Sequence, residues 1–438
     1  MQPYRILSLD GGGTWALIQV MALQRIYGED TPGHEILKDF DLVAANSGGS
    51  ITAGGLVTNL PLSEILGYFC DNTKCSRIFN PIPFALVRGR PFRYLFHRLV
   101  RRILPIGAKY RTKEKLRGLN EVLTESDRVF KTREGKKITS PEYQLWQIPD
   151  KIRESGESGG KSPHFLICGF NYDRRRAKFF RSNTRSLSSG SPGPEKVTLA
   201  EAIHASTNAP VNFFISPAEV GDTLYWDGAI AGFNNPVLAA VTEAVANGVD
   251  ASCIQVLSLG TGTVALPPRK KGNGGDDPDL LQEPHVSTLF GDVAQLSTSI
   301  LDDPPDTATF VSHIILSPKG LLVTAAGAME NPVVRMAPVV RPRRGAPDQK
   351  WTLPNGFTKE EFLGLVNLDL DATTPEQIAL LTKLGRAWIG GEVSNQAIRE
   401  NANFEPDIGH GTFAEALSHW QALMAIPSSP AAYAQASA

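Results

Sequence analysis

Three short stretches hold residue types and spacings suited to nucleophilic catalysis: Asp10-Gly11-Gly12-Gly13, Ala45-Asn46-Ser47-Gly48-Gly49 and Asp227-Gly228-Ala229. Ser47 stands between an apolar run and a run of small residues, the setting in which a G-x-S-x-G nucleophile elbow places its serine. So tight a turn needs nearly side-chain-free positions two before and two after the serine, and Ala45 and Gly49 meet that need. A helix starting there aims its N-terminal N–H groups and positive dipole end at a developing oxyanion, with Gly48 adding an amide. The same turn would also serve simply to pack a helix against a strand.

The backbone N–H groups of Gly11, Gly12 and Gly13 can converge on an anion, either a phosphate or the oxyanion of an acyl-transfer intermediate. The G-x-x-x-x-G-K-[ST] and G-x-G-x-x-G phosphate patterns are both absent here. A tight strand-to-helix turn is the plain alternative. A serine hydroxyl is a weak nucleophile and requires a positioned proton acceptor. The eight histidines, His34, His97, His164, His204, His285, His313, His410 and His419, occupy no recognisable catalytic turn and read as solvated or structural. Asp227 ends an apolar run just before small residues that let another group approach. It reads as the acceptor or as the start of an ordinary turn.

The elements that must position these residues follow from the apolar spacing. Residues 4–9 and 40–45 read as strands, each followed by a turn and a helix. Residues 164–170, 224–226 and 253–259 are further strand candidates, and 236–247 is helical. Strands alternating with helices predict an α/β fold, three-layered, with a mainly parallel central sheet and helices on both faces. A strand over 333–340 and helices within 358–386 complete the same domain. The polar stretches 131–161, 184–196 and 267–284 read as surface loops, and the Ala/Ser/Pro-rich end 427–438 as frayed.

Across 438 residues, 44 basic side chains against 45 acidic ones leave a net charge of -1, so no overall field argues for a nucleic-acid partner. Cys70, Cys75, Cys168 and Cys253 lack metal-ligand spacing and suit a reducing compartment, with Cys168 and Cys253 in apolar, core-like runs. No secretory leader or membrane-spanning run is evident. The expectation is a cytoplasmic protein, soluble or attached to a membrane surface.

The three motifs, in this order, resemble those of the patatin-like phospholipase family: a D-G-G-G-x-R-G loop, a G-x-S-x-G serine and a D-G-[GA] aspartate. Ala205-Ser206-Thr207-Asn208-Ala209-Pro210, Asn234-Asn235-Pro236 and Leu257-Ser258-Leu259-Gly260-Thr261-Gly262 are similar to the family's connecting segments. The resemblance extends to about residue 390, which implies a lipid acyl hydrolase domain over 1–392 and a C-terminal extension over 393–438. It further implies a histidine-free Ser-Asp dyad that hydrolyses acyl esters of phospholipids or related lipids. By position, Ser47 attacks the ester carbonyl, and Asp227 takes its proton and later activates water. Amides of Gly11, Gly12 and Gly13, with Gly48, then stabilise the oxyanion. Neither metal nor cofactor is required.

Four positions depart from the family pattern. Trp15 and Ala16 replace its loop arginine and following glycine, and Ala45 and Ser50 flank the serine turn where glycines are usual. Trp15 would pack beneath the loop or line the acyl pocket. Separately, residues 84–119 carry eleven Lys/Arg and one acid, interleaved with Phe92, Tyr94, Phe96 and Tyr110. That segment reads either as a lid or docking element on an anionic membrane, or as a solvated helical face whose aromatics join the core.

A classical α/β-hydrolase with a Ser-Asp-His triad shares the chain order, but it places several strands before its elbow strand, and here only one clear strand, 4–9, precedes the strand that leads into Ser47. The remaining alternatives are a non-catalytic lipid-binding or interaction protein on the same fold, and acyl transfer to an acceptor other than water.

Overall fold

The computed structural model describes residues 2–71, 74–75, 112–124, 130–131, 137–138, 142–155, 162–183, 196–210, 213–214, 216–269, 276–282, 306–317, 331–345, 349–401 and 404–425. Its frame is one sheet built on β1 (Tyr4–Leu9). On one side of β1 lie β2 (Leu42–Ala45) and then β3 (His164–Asn171), all parallel. β4 (Arg176–Arg181) and β6 (Thr223–Asp227) both pair antiparallel with β3, and β5 (Ala218–Val220) pairs antiparallel with β6. On the other side of β1 lie β7 (Ile254–Leu259) and β8 (Val333–Met336), again parallel. The sheet is thus mostly parallel, as the alternation of strands and helices predicts.

Both faces are apolar because the strands read as near-continuous hydrophobic runs, and the pleat divides them residue by residue. Leu7, Leu9, Val43, Ala45 and Ile167 point into one core, which also takes α1 (Leu17–Tyr27), α2 (Ser47–Val57) and α8 (Pro375–Ile389). Ile6, Ala44, Leu166 and Cys168 point into the opposite core, beneath α6 (Val237–Ala246). Helix, sheet and helix make the three layers. The C-terminal helix α9 (Phe413–Met424) joins the larger core, with the Trp420 ring stacked on Phe40 at 5.8 Å between centroids.

β3 decides where the motifs meet. Along one edge its residues 164–167 pair with β2, and its residues 169–171 pair with β6. β4 runs along the opposite edge, facing Leu166 through Asn171, so β2 and β6 must follow one another end to end on the first. Ala45 lies opposite Ile167 and Asp227 opposite Gly169. The residue two past Ala45 therefore arrives at the level of Asp227.

Some local expectations differ. Residues 131–161, expected as a loop, include the helix Ile148–Glu154, which starts at a proline-containing first turn and buries Ile148 and Ile152. The expected strand 333–340 is two strands, β8 and β9 (Pro338–Val340), which pair in different sheets. β4 and β5 were not foreseen, because their exposed, charged residues hide the period of two. Cys253 is half-exposed at the end of a 3₁₀ turn and not core, since the strand starts one residue later. Residues 84–111 of the basic segment and the 427–438 tail lie outside the described residues.

Candidate active site

The site is assembled at the end of β2. Asn46 is extended, with φ −132, and Ser47 takes φ 47 as the first residue of α2. A positive φ is strained for a residue with a Cβ, and such strain persists only where the surroundings enforce it. Here the Ser47 amide donates to Ser206 Oγ at 2.9 Å, and the Ser47 carbonyl accepts from Ser50 Oγ at 2.5 Å. The neighbouring glycines are required by contact. A Cβ on Gly49 would stand 2.4 Å from the Leu9 carbonyl oxygen, and one on Gly48 would stand 2.3 Å from that of Gly13.

Asp227 ends β6 and is buried at 4% exposure. Its Oδ1 accepts from Asn46 Nδ2 at 3.0 Å and from the Ala229 amide at 2.9 Å, and its own amide donates to the Asn208 carbonyl at 3.0 Å. Burial pushes its pKa above the ordinary carboxylate value. Hydrogen bonds from Ala229, the Ser47 side chain and Asn46, and the charge of Lys115, pull it back down. No histidine is among the groups acting on Asp227 in the described residues. Oδ1 is thus engaged twice.

The glycine loop packs against the start of α2. Gly12 and Gly13 have φ 157 and 57, and a Cβ on either would meet Thr261 Oγ1 at 2.3 Å or the Leu370 carbonyl oxygen at 2.2 Å. The Gly11 amide does not face an open site, because it donates to the Asn234 carbonyl at 2.8 Å. It is therefore removed from the expected set of oxyanion donors, which leaves Gly12, Gly13 and Gly48. Trp15 packs beneath the loop at 6% exposure, and its Nε1 donates to the Asp369 carbonyl at 3.2 Å. Thr14 ties the same loop to Leu370 through its amide at 2.8 Å and its hydroxyl at 3.0 Å.

Asp10, at the base of the loop, forms a buried ion pair with Arg335 of β8, Nη2 to Oδ2 at 2.6 Å. Desolvation nevertheless outweighs that pair and pushes the Asp10 pKa up to about 6, with Asp306 adding to the rise. Arg335 also donates to Ser258 Oγ at 2.9 Å, which links Asp10 to β7. The loop arginine that Trp15 replaces is thus not what holds this loop. A cation on a distant strand does so.

The tertiary structure brings Ser47, Asp227, Gly12, Gly13 and Gly48 together, and it adds residues that spacing did not single out. Asn46 and Ser206 support the turn, and Asn208 and Lys115 support the aspartate. Ser206 and Asn208 lie in the Ala/Ser-rich stretch that the motifs included, whereas Lys115 carried no signal beyond its charge. Of the histidines, His97 and His285 lie outside the described residues. His204, on α5 (Leu199–Ser206), is buried with its pKa lowered by burial first and by Lys115 second. His410 and His419 contact each other at 3.1 Å in the C-terminal region. Among the described residues no His/Cys/Asp/Glu group of metal-site size occurs, and no helix is long and apolar enough to cross a membrane.

A family model described as patatin-like phospholipase matches residues 7–241, which contain all three motifs. A curated relative, the cGAMP-activated phospholipase of Pseudomonas aeruginosa (strain BWHPSA011 / Pa011), is 27% identical over 268 residues, 60% of this chain and 63% of the relative. The match thus spans less than two thirds of that relative's length. Among solved structures, the crystal structure of VipD from Legionella pneumophila aligns over 97% of this chain and 75% of that one, at 11% identity and a TM-score of 0.36.

Proposed function

The chain belongs to the patatin-like phospholipase family, and from that premise we propose that it is a lipid acyl hydrolase working through a Ser47–Asp227 dyad. The observation that carries the reading is a serine held at φ 47 on the turn whose Asn46 binds a buried carboxylate of raised pKa. A carboxylate shifted toward neutrality is a better proton acceptor for a hydroxyl than an ordinary one.

In this reaction Ser47 Oγ attacks the ester carbonyl carbon while its proton passes to Asp227 Oδ2. The carbonyl oxygen becomes an oxyanion that accepts hydrogen bonds from the amides of Gly12, Gly13 and Gly48. The intermediate expels the alcohol, which takes the proton from Asp227, and the fatty acyl group stays on Ser47. Water then gives its proton to Asp227 and attacks the acyl-enzyme, and the second intermediate collapses to free fatty acid as Ser47 Oγ takes that proton back from Asp227. The substrate class is a phospholipid or related acyl-ester lipid, met at a membrane surface to which residues 84–119 bring positive charge.

The test is a lipid panel with products identified by mass, run on the native chain beside Ser47→Ala and Asp227→Asn. Loss of fatty-acid release in both variants is the expected result, and equal turnover by all three proteins would sink the dyad. Acyl transfer to another acceptor would show as an acylated product in place of free fatty acid. The Pseudomonas relative is named for activation by cGAMP, so turnover is to be measured with and without that nucleotide.

A further inference from the structure

Helix α4 (Thr112–Thr124) begins with Thr112, Lys113, Glu114 and Lys115, a stretch that reads from sequence as the end of a basic surface segment. Yet Lys115 is fully buried. An ammonium is costly to desolvate, and a methionine or leucine of similar volume would pack there without that cost. The position must use the charge or the donors.

Both have partners. Nζ donates to the His204 carbonyl at 3.0 Å and to Asn208 Oδ1 at 2.9 Å, and it lies over the Phe214 ring at 4.1 Å from the centroid. Asn208 is the residue whose carbonyl accepts the Asp227 amide at 3.0 Å. Its Nδ2 donates to the Ser216 carbonyl at 2.8 Å, which also accepts from Thr112 Oγ1 at 2.8 Å. Thr112 and Lys115 therefore clamp one face of α4 to the segment from which Asp227 is hung.

We infer that Lys115 is the positioning residue of the base: it fixes Asn208, and through it the Asp227 backbone, while its ammonium favours the ionised carboxylate. The inference rests on the Ser47–Asp227 reading. Charges are linked in both directions. Burial pushes the Lys115 pKa well down and Asp227 draws it back up, while the Lys115 charge lowers that of Asp227. The other titratable groups in this linked set are His204, lowered by burial and by Lys115, and Cys168, whose thiol is pushed up by burial and by Asp227. A lysine serving packing alone would leave the Asp227 titration unmoved.

The experiment uses the full chain with Lys115→Met, Lys115→Arg and Asn208→Ala. The Asp227 carboxyl resonance is followed in ¹³C-aspartate-labelled protein and assigned by its loss in Asp227→Asn. Its titration midpoint is expected to rise in Lys115→Met and in Asn208→Ala, and to return toward the native value in Lys115→Arg. Ser47-dependent turnover should fall about 10-fold to 100-fold in Lys115→Met through kcat, with KM little changed, as for a displaced catalytic group. An unmoved midpoint in Lys115→Met overturns the inference. If that variant does not fold, an unmoved midpoint in Asn208→Ala does so. Turnover that survives Ser47→Ala overturns the dyad instead, and the carboxyl titration still judges Lys115.

Discussion

Asn46 Nδ2 donates to Asp227 Oδ1 at 3.0 Å, so the residue immediately before the serine holds the carboxylate that faces it. One backbone turn thereby sets both partners. Gly228 permits the approach, since a Cβ there would stand 2.5 Å from Asn46 Oδ1.

Removing that bond isolates its contribution. A hydrogen bond to a buried charge is worth about 1.5–3 kcal/mol, or roughly 10-fold to 150-fold. Asn46→Ala is expected to lower Ser47-dependent kcat/KM by that order and to raise the apparent pKa of its acid limb. An unshifted limb would separate Asn46 from Asp227.

The pH dependence of turnover has a defined sign. Asp227 must be ionised to accept the serine proton, and burial raises its pKa above the ordinary aspartate value of 3.8. Activity should therefore rise with pH through a limb lying above the ordinary carboxylate range. A kcat/KM profile in the native chain and in Asn46→Ala measures it. A limb at or below the ordinary value contradicts the burial argument.

The glycine loop tolerates no side chain at Gly13. Alanine there would have to adopt φ 57 with its Cβ 2.2 Å from a backbone oxygen. Strain of about 1–3 kcal/mol at the residue itself is expected, with displacement of the loop in addition. Gly13→Ala should lower the melting temperature and abolish ester cleavage, whereas alanine at the open position Gly67 should do neither.

Burial of Asp10, only partly offset by Arg335, gives stability its own pH dependence. In the folded state the Asp10 pKa is pushed up to about 6, above the ordinary aspartate value of 3.8, so between those values the folded state binds more protons than the unfolded one. Its contribution favours folding below about 4 and is lost as pH rises toward 6, by about 3 kcal/mol in all. Asp10→Asn should flatten the unfolding free energy across that window. Arg335→Met should leave Asp10 without its cation and destabilise the native chain at neutral pH by about 3–5 kcal/mol.

Membrane contact is expected of residues 84–119. Each basic side chain near an anionic surface contributes on the order of 1 kcal/mol, so Arg98→Glu, Arg101→Glu and Arg102→Glu together should sharply weaken sedimentation with anionic vesicles. Binding that equals the native chain's at low salt removes this segment from the membrane surface.

Much of this protein was determined locally and is legible in the residues. The strand-glycine-helix units at Leu9–Gly13 and Ala45–Gly49 follow from apolar runs broken by residues that alone can turn so tightly. The parallel sheet follows from their alternation with helices. Ser47 and Asp227 are both found at strand ends for that reason. The tertiary structure decided what depends on contacts between segments far apart in the chain. The Gly11 amide is engaged because Asn234 lies above it, and Asp10 is ionically paired because β8 carries Arg335 past its carboxylate. Lys115, counted by its charge among surface residues, is buried against Asn208 because α4 packs on α5. Spacing in a sequence reports the period of one element, whereas these pairings are set by burial and register between elements, which no local pattern encodes.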